Sequence, residues 1–314
     1  MTNTPYDEFG LFHENAAEYG LSLDPPPHVR RDSVTLDDGR SVSALIWGTA
    51  SAELVFVHGG AQNAHTWDTV ALALGVSMIA IDLPGHGHSD WRDDGAYTPT
   101  NLADDIAAAV RTFAPGASAV VGMSLGGLTS LELASRHPDL VRQLVLVDIT
   151  PGVNQQKAKA VIDFVNGPQE FPDFDSLLAR TIEHNPTRAV SSLRRGILHN
   201  AHQTASGAWE WNYDRRGHAR SGDDQTPAEA EAAAAVATSH SPLWDHLGAL
   251  ECPVAVLRGS LSPVVDDADI AEVIARQPAA RVDVIEGAGH SIQGDRPVEL
   301  AAAIRAIVPA LSRR

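Results

Sequence analysis

The pentapeptide Gly122-Met123-Ser124-Leu125-Gly126 holds the residue of this chain best placed to act as a nucleophile. It closes the apolar run "SAVVGMS" (118–124) and opens the helix-like segment "GGLTSLELASRHP" (126–138). A G-x-S-x-G turn needs that strand-to-helix setting. A serine on so sharp a turn has strained backbone angles, so its flanking positions must be very small, and Gly122 and Gly126 supply this. The helix that follows brings its positive end towards Ser124, where an anionic intermediate gains from it. A serine hydroxyl is a weak nucleophile at its free pKa and needs a general base. A carboxylate that orients the base is the usual third member, and "LVLVDITPG" (144–152) offers one. Four apolar residues there run into Asp148 before a Pro-Gly break. A strand end turning into solvent would read the same way.

These residues must be positioned by the elements around them. Short apolar runs alternate with helix-length segments along the chain. "SALIWG" (43–48), "ELVFVHGG" (53–60), "SMIAIDLPG" (77–85), "SAVVGMS", "QLVLVDITPG" (143–152), "PVAVLRGS" (253–260) and "RVDVIEGAG" (281–289) read as strands. Most are continuously apolar, as strands buried on both faces of a parallel sheet are. "NLADDIAAAVRTFA" (101–114), "GGLTSLELASRHP", "DDADIAEVIARQP" (266–278) and "RPVELAAAIRAIVPAL" (296–311) have helical spacing, with stops at Pro or Gly. The alternation predicts an α/β fold with a mostly parallel, doubly wound sheet. It breaks between Val153 and His240, where "NQQKAKAVIDFV", "FDSLLARTIEHN" and the aromatic cluster "WEWNYDRR" (209–216) predict a helical insertion without strong strands. The expected organisation is a core of residues 1–152 and 241–314, with 1–31 as a lead-in, and an insertion at 153–240.

With its serine turn in this setting, the sequence resembles the α/β-hydrolase superfamily from about Ser33 to Leu311, the insertion apart. "FVHGGAQNAHTW" (56–67) is similar to that family's His-Gly-x loop. The resemblance implies that the backbone N–H groups of Gly60 and Leu125 hold the oxyanion, donors worth about 10²–10³ in rate each. "DLPGHGHSD" (82–90) resembles the family's Asp-x-Pro-Gly-x-Gly-x-Ser loop, and His58, His86 and His88 read as loop-ordering residues. "GAGHSIQGDRP" (287–297) resembles the Gly-x-Gly-His segment, which makes His290 the base. Of 14 histidines it alone lies in such a loop after the last predicted strand.

The acid departs from the family's common pattern. The loop after the penultimate strand reads "RGSLSPVVDD", and Ser262 stands where a Gly-x-x-Asp loop carries its carboxylate. Asp148 ends the strand after the nucleophile helix, which gives the chain order Ser124, Asp148, His290 that the fold requires. Some haloalkane dehalogenases and the zearalenone lactonases resemble this placement. Asp266 or Asp267 could instead reach back, although they look like helix caps, and an absent acid stays open as the third case.

In the family an insertion at this point caps the active site. Phe164, Trp209, Trp211 and Tyr213 are therefore candidate pocket walls, along with Met123 beside the nucleophile. The set implies a cofactor-free, metal-free serine hydrolase of esters or lactones of small, largely apolar molecules, working through an acyl-enzyme. Carbon–carbon bond hydrolysis and perhydrolysis on the same triad, and a slow-turnover ligand receptor, stay open as alternatives. Epoxide hydrolase and dehalogenase chemistry need a carboxylate nucleophile in this fold, which Ser124 is not. A net charge of −17 repels phosphate backbones and anionic lipid, so neither nucleic acid nor a membrane is an expected partner. A homodimer is left open. A single cysteine, Cys252, excludes a disulfide framework, and no signal-like leader or membrane-length apolar run is seen, so a cytoplasmic location is expected. The acid-rich stretch 221–240 reads as a solvated helix face.

Overall fold

The structure is a computed structural model that describes residues 6–152, 156–216 and 241–311. The acid-rich stretch 221–240 lies outside the described residues. In chain order the elements are α1 (Phe12–Tyr19), β1 (Val29–Thr35), β2 (Ser41–Trp47), β3 (Leu54–Val57), α2 (Asp68–Leu74), β4 (Met78–Ile81), α3 (Pro99–Phe113), β5 (Ala119–Met123), α4 (Leu125–Arg136) and β6 (Leu144–Val147). The insertion follows with α5 (Lys159–Val165), β7 (Glu170–Phe171), α6 (Phe174–His184), α7 (Val190–Asn200), β8 (Ala201–Gln203) and β9 (Trp209–Trp211). The chain then returns through α8 (Pro242–Ala249), β10 (Val254–Gly259), α9 (Asp267–Arg276), β11 (Arg281–Ile285), α10 (Ile292–Asp295) and α11 (Pro297–Ile307).

The main sheet has the order β1-β2-β4-β3-β5-β6-β10-β11. The pairings from β4 to β11 are parallel, and β2 joins both β1 and β4 antiparallel. Every residue of β3, β4, β5 and β6 is buried. Successive side chains point to opposite faces. Val55, Val57, Leu144 and Leu146 pack with α3, α4, α8 and α9, whereas Leu54, Phe56, Val145 and Val147 pack with α1, α2 and α11. Each such side chain, fully buried, contributes about 1.5–3 kcal/mol relative to an exposed one. A strand slip by one residue would turn these side chains towards the wrong layer, so the register is strongly fixed. Because the strands are parallel, the loops after β3, β5, β6, β10 and β11 leave from one edge, where ligands bind in open α/β sheets.

Two regions differ from the sequence-based expectation. The lead-in contains α1 and the start of the edge strand β1. The sequence "VRRDSVT" has no continuous apolar run because an antiparallel edge strand need not be buried on both faces. The insertion is not purely helical: β7, β9 and β8 form a small antiparallel sheet. Strands of two or three residues are too short to leave an alternation signal.

Candidate active site

Ser124 sits between β5 and α4 with φ 51° and ψ −122°. This is a left-handed backbone for a non-glycine residue, and the surrounding structure must hold it there. The flanks explain how. A Cβ on Gly122 would run into the Gly126 carbonyl and the Ser130 hydroxyl, and one on Gly126 would run into the Val57 and His58 carbonyls.

Three loops converge on this serine. His290, between β11 and α10, lies with Nε2 3.2 Å from Ser124 Oγ and Nδ1 2.7 Å from Asp148 Oδ2. Asp148 is fully buried and has φ 51°, a conformation Asp tolerates better than most residues. Its Oδ1 accepts the Gly259 N–H at 2.9 Å, and its Oδ2 also accepts the Ser262 hydroxyl at 2.5 Å. An acceptor on Nδ1 leaves the hydrogen on that nitrogen, so Nε2 faces Ser124 ready to take a proton. The two rival carboxylates are engaged elsewhere. Asp266 caps α9 and pairs with Lys157 at 2.6 Å, which holds its pKa down at about 2. Asp267 pairs with Arg258 at 2.7 Å.

Gly60 lies beside Leu125, the residue after the serine: a Cβ on Gly60 would stand 3.8 Å from the Leu125 side chain. Leu125 opens α4, so its N–H has no intrahelical acceptor. Among the described residues neither amide is committed to a backbone carbonyl. The arrangement therefore lines up a hydroxyl, an imidazole acceptor and a buried carboxylate.

A sequence profile described as the alpha/beta hydrolase fold matches residues 53–297. The chain belongs to the α/β-hydrolase family. It is 41% identical over 314 residues to Esterase Rv0045c of Mycobacterium tuberculosis, covering 97% of each chain. It is 30% identical over 247 residues to the 2-(acetamidomethylene)succinate hydrolase of Mesorhizobium japonicum, covering 78% of this chain and 83% of that one. A solved structure of the M. tuberculosis esterase, described together with its transition metal inhibition, covers 98% of this chain and 100% of its own with a TM-score of 0.82.

Other parts of this α/β-hydrolase site brace the reacting groups. His58 accepts the Leu83 N–H on Nε2 and donates from Nδ1 to the Gly59 carbonyl, and burial holds its pKa below the ordinary value. His86 accepts the Ala61 N–H on Nε2. Both order the loop beside Gly60. Asp295 accepts the Gly289 N–H at 2.7 Å and the Thr187 hydroxyl at 2.8 Å, which ties the histidine loop to the insertion. Sequence reasoning missed Asp295, and it missed what Ser262 does. Ser262 was legible as a departure from a carboxylate, but its bond to Asp148 depends on two strands being neighbours. Ser262→Ala is expected to lower kcat about tenfold with KM little changed, since a hydrogen bond to a charged group is worth about 1.5–3 kcal/mol. Ser262→Thr should keep most of the rate. A kcat in Ser262→Ala equal to wild type would remove Ser262 from the positioning of the acid.

A cavity of about 450 Å³ opens over Ser124 and His290, between the core and the insertion. Met123, Val161, Phe164, Val165, Leu261 and Pro263 give it largely apolar walls. Of the candidate pocket walls, Met123 and Phe164 line it. The other three sit elsewhere. Trp209 packs edge-on against Phe174 at 5.0 Å, Tyr213 is buried against His86 at 6.2 Å, and Trp211 packs on Phe164 and Phe171 and lines a neighbouring cavity. The short strand β9 takes the two tryptophans into the insertion's own small core.

Proposed function

We propose that this chain is a cofactor-independent serine esterase that acts on small, largely apolar esters through an acyl-enzyme. The observation that carries the reading is the unbroken line Asp148–His290–Ser124, running from a buried carboxylate to the floor of an apolar cavity. Ser124 Oγ attacks the ester carbonyl as His290 Nε2 takes its proton. The Gly60 and Leu125 amides receive the developing oxyanion, and Asp148 stabilises the imidazolium. His290 returns the proton to the leaving alcohol, and water clears the acyl group by the same steps. A lactone presents the same carbonyl and falls within the reading. The 41% identity to an esterase over nearly the whole chain supports ester hydrolysis. The apolar walls favour an uncharged substrate over a dicarboxylate: among the described lining residues Lys157 is the one Lys or Arg, and it is paired with Asp266 and Asp269. The insertion acts as a cap that excludes water from the acyl-enzyme.

A fluorophosphonate probe is expected to label Ser124, and an activated ester to turn over many times per enzyme. An unlabelled Ser124 would sink the reading, and a single burst without further turnover would favour a ligand receptor. The walls are tested with esters of graded acyl length. Phe164→Ala should raise KM for the preferred acyl group several-fold and shift the preference towards bulkier ones, since each buried CH₂ is worth about 0.8 kcal/mol. Trp209→Ala should leave the preference unchanged. The reverse outcome would move the pocket to the far side of the insertion. As with the M. tuberculosis esterase, ester turnover is expected to fall when transition-metal ions are added.

A further inference from the structure

We propose that His65, Asp68 and His199 form a second site, for a divalent transition-metal ion, that joins the insertion to the loop carrying Gly60. His65 lies in the 3₁₀ turn Ala64–Trp67, Asp68 opens α2, and His199 is near the end of α7. Each offers one ligand atom, and these atoms all lie within 4.8 Å of one another, the one such group among the described residues. His65 Nδ1 stands 2.9 Å from Asp68 Oδ2, and His199 Nε2 stands 3.8 Å from the same oxygen. Tetrahedral ligands about 2.0–2.1 Å from zinc stand roughly 3.3 Å apart, between those two distances. To seat an ion, His199 must move towards Asp68 and its ring must turn.

Two independent observations point to a ligand here. The residues are 7%, 2% and 7% exposed, and Asp68 Oδ1 and His199 Nε2 have no hydrogen-bond partner among the described residues. Buried polar atoms without partners are costly, and a cation would take His199 Nε2. The other ring nitrogens are already held. His65 Nε2 is 3.1 Å from Glu8 Oε1, itself held by Arg31, and His199 Nδ1 is 2.7 Å from the Tyr6 hydroxyl. Metal-ligating histidines are oriented by such partners on their second nitrogen. The two rings stack at 3.9 Å, tilted by only 6°, so their lone pairs lie in near-parallel planes and one ring must turn for both to meet an ion. Two imidazoles and a carboxylate suit zinc, cobalt or nickel better than calcium or magnesium. The ion would replace the proton on the His65–Asp68 contact, which passes to solvent. The sequence alone hides this group, because His199 is brought to His65 and Asp68 only by the fold.

The connection to the first site runs through hydrogen bonds. Asn63 Nδ2 donates to the His199 carbonyl at 2.8 Å and to Asn200 Oδ1 at 3.2 Å, and Asn200 Nδ2 donates to the Ala61 carbonyl at 2.7 Å. An ion that draws His199 towards Asp68 therefore pulls on the residue next to Gly60. This coupling, unlike the binding itself, rests on the esterase reading.

The test uses the full chain, stripped with chelator and titrated with Co²⁺. One equivalent should bind, with a visible ligand-field band and a matching calorimetric stoichiometry. His199→Ala and Asp68→Asn should each abolish the band. Glu8→Gln, a change at a partly exposed residue that keeps the fold testable if either ligand variant unfolds, should weaken binding about 10- to 100-fold. Absence of a band in the wild-type protein, or a band of unchanged affinity in the variants, as adventitious surface histidines would give, overturns the site. In a separate arm, Co²⁺ should slow ester turnover in the wild-type protein and much less in Glu8→Gln at the same concentration. Esters turned over normally with no Co²⁺ band would sink the metal site and leave the esterase standing. A band on a protein inert towards esters would do the reverse.

Discussion

Ester turnover by Ser124→Ala is expected to fall about 10⁶-fold in kcat, the loss that removal of a triad serine causes in a well-studied protease. The hydroxyl has no substitute, because the strained turn places this one side chain 3.2 Å from His290 Nε2. Binding should persist, since Met123, Phe164 and the other walls are untouched. Residual catalysis over water of about 10³–10⁴ would come from the oxyanion donors and from binding. Folding should change little: Ser124 is only part-buried, and among the described residues its hydroxyl makes one hydrogen bond, at 3.2 Å to His290. The measurement is kcat on one activated ester, with far-UV circular dichroism as the folding control. Activity within tenfold of wild type in cleanly purified protein would mean that the nucleophile lies elsewhere.

How readable each part was depends on how local its physics is. The serine turn is local. Gly122, Ser124 and Gly126 lie within five residues, and the glycines are required by backbone atoms of adjacent segments. The buried strands were readable because β3 to β6 are covered on both faces and so are apolar throughout. The edge strand β1 was not, because half of its side chains face water. The insertion was the least legible. Trp209, Trp211 and Tyr213 look like pocket walls by residue type, yet their contacts are set by a small sheet whose strands are too short to announce themselves. The acid stood between these cases. Position at the strand end made Asp148 a candidate, but Asp266 and Asp267 remained open. What separates them is long-range: the pairing of β10 with β6 brings Gly259 and Ser262 onto the Asp148 carboxylate.

Asp148→Asn is therefore expected to keep the fold and to cut kcat by roughly 10⁴, as loss of the correct tautomer does in a serine protease. The amide oxygen of an asparagine can still accept the Gly259 N–H that Oδ1 accepts now. Its NH₂ group would then take the place of Oδ2, opposite His290 Nδ1 and Ser262 Oγ. Two donors cannot face one another, so His290 must accept on Nδ1 and carry its hydrogen on Nε2, where it can no longer take a proton from Ser124. The Ser262 hydroxyl can turn to accept, so no buried polar group is stranded and the stability loss should stay small. Asp266→Asn and Asp267→Asn serve as controls. The first replaces one good helix cap with another, and both should leave kcat nearly unchanged. The double change Asp148→Asn with Ser262→Asp supplies the sharper arm. Ser262 Oγ lies 2.5 Å from the very oxygen that His290 contacts. A carboxylate at position 262 can therefore reach the imidazole from the neighbouring strand and should recover part of the lost rate. Near-full kcat in Asp148→Asn, with collapse in Asp266→Asn or Asp267→Asn, would return Asp148 to the role of a polar strand end.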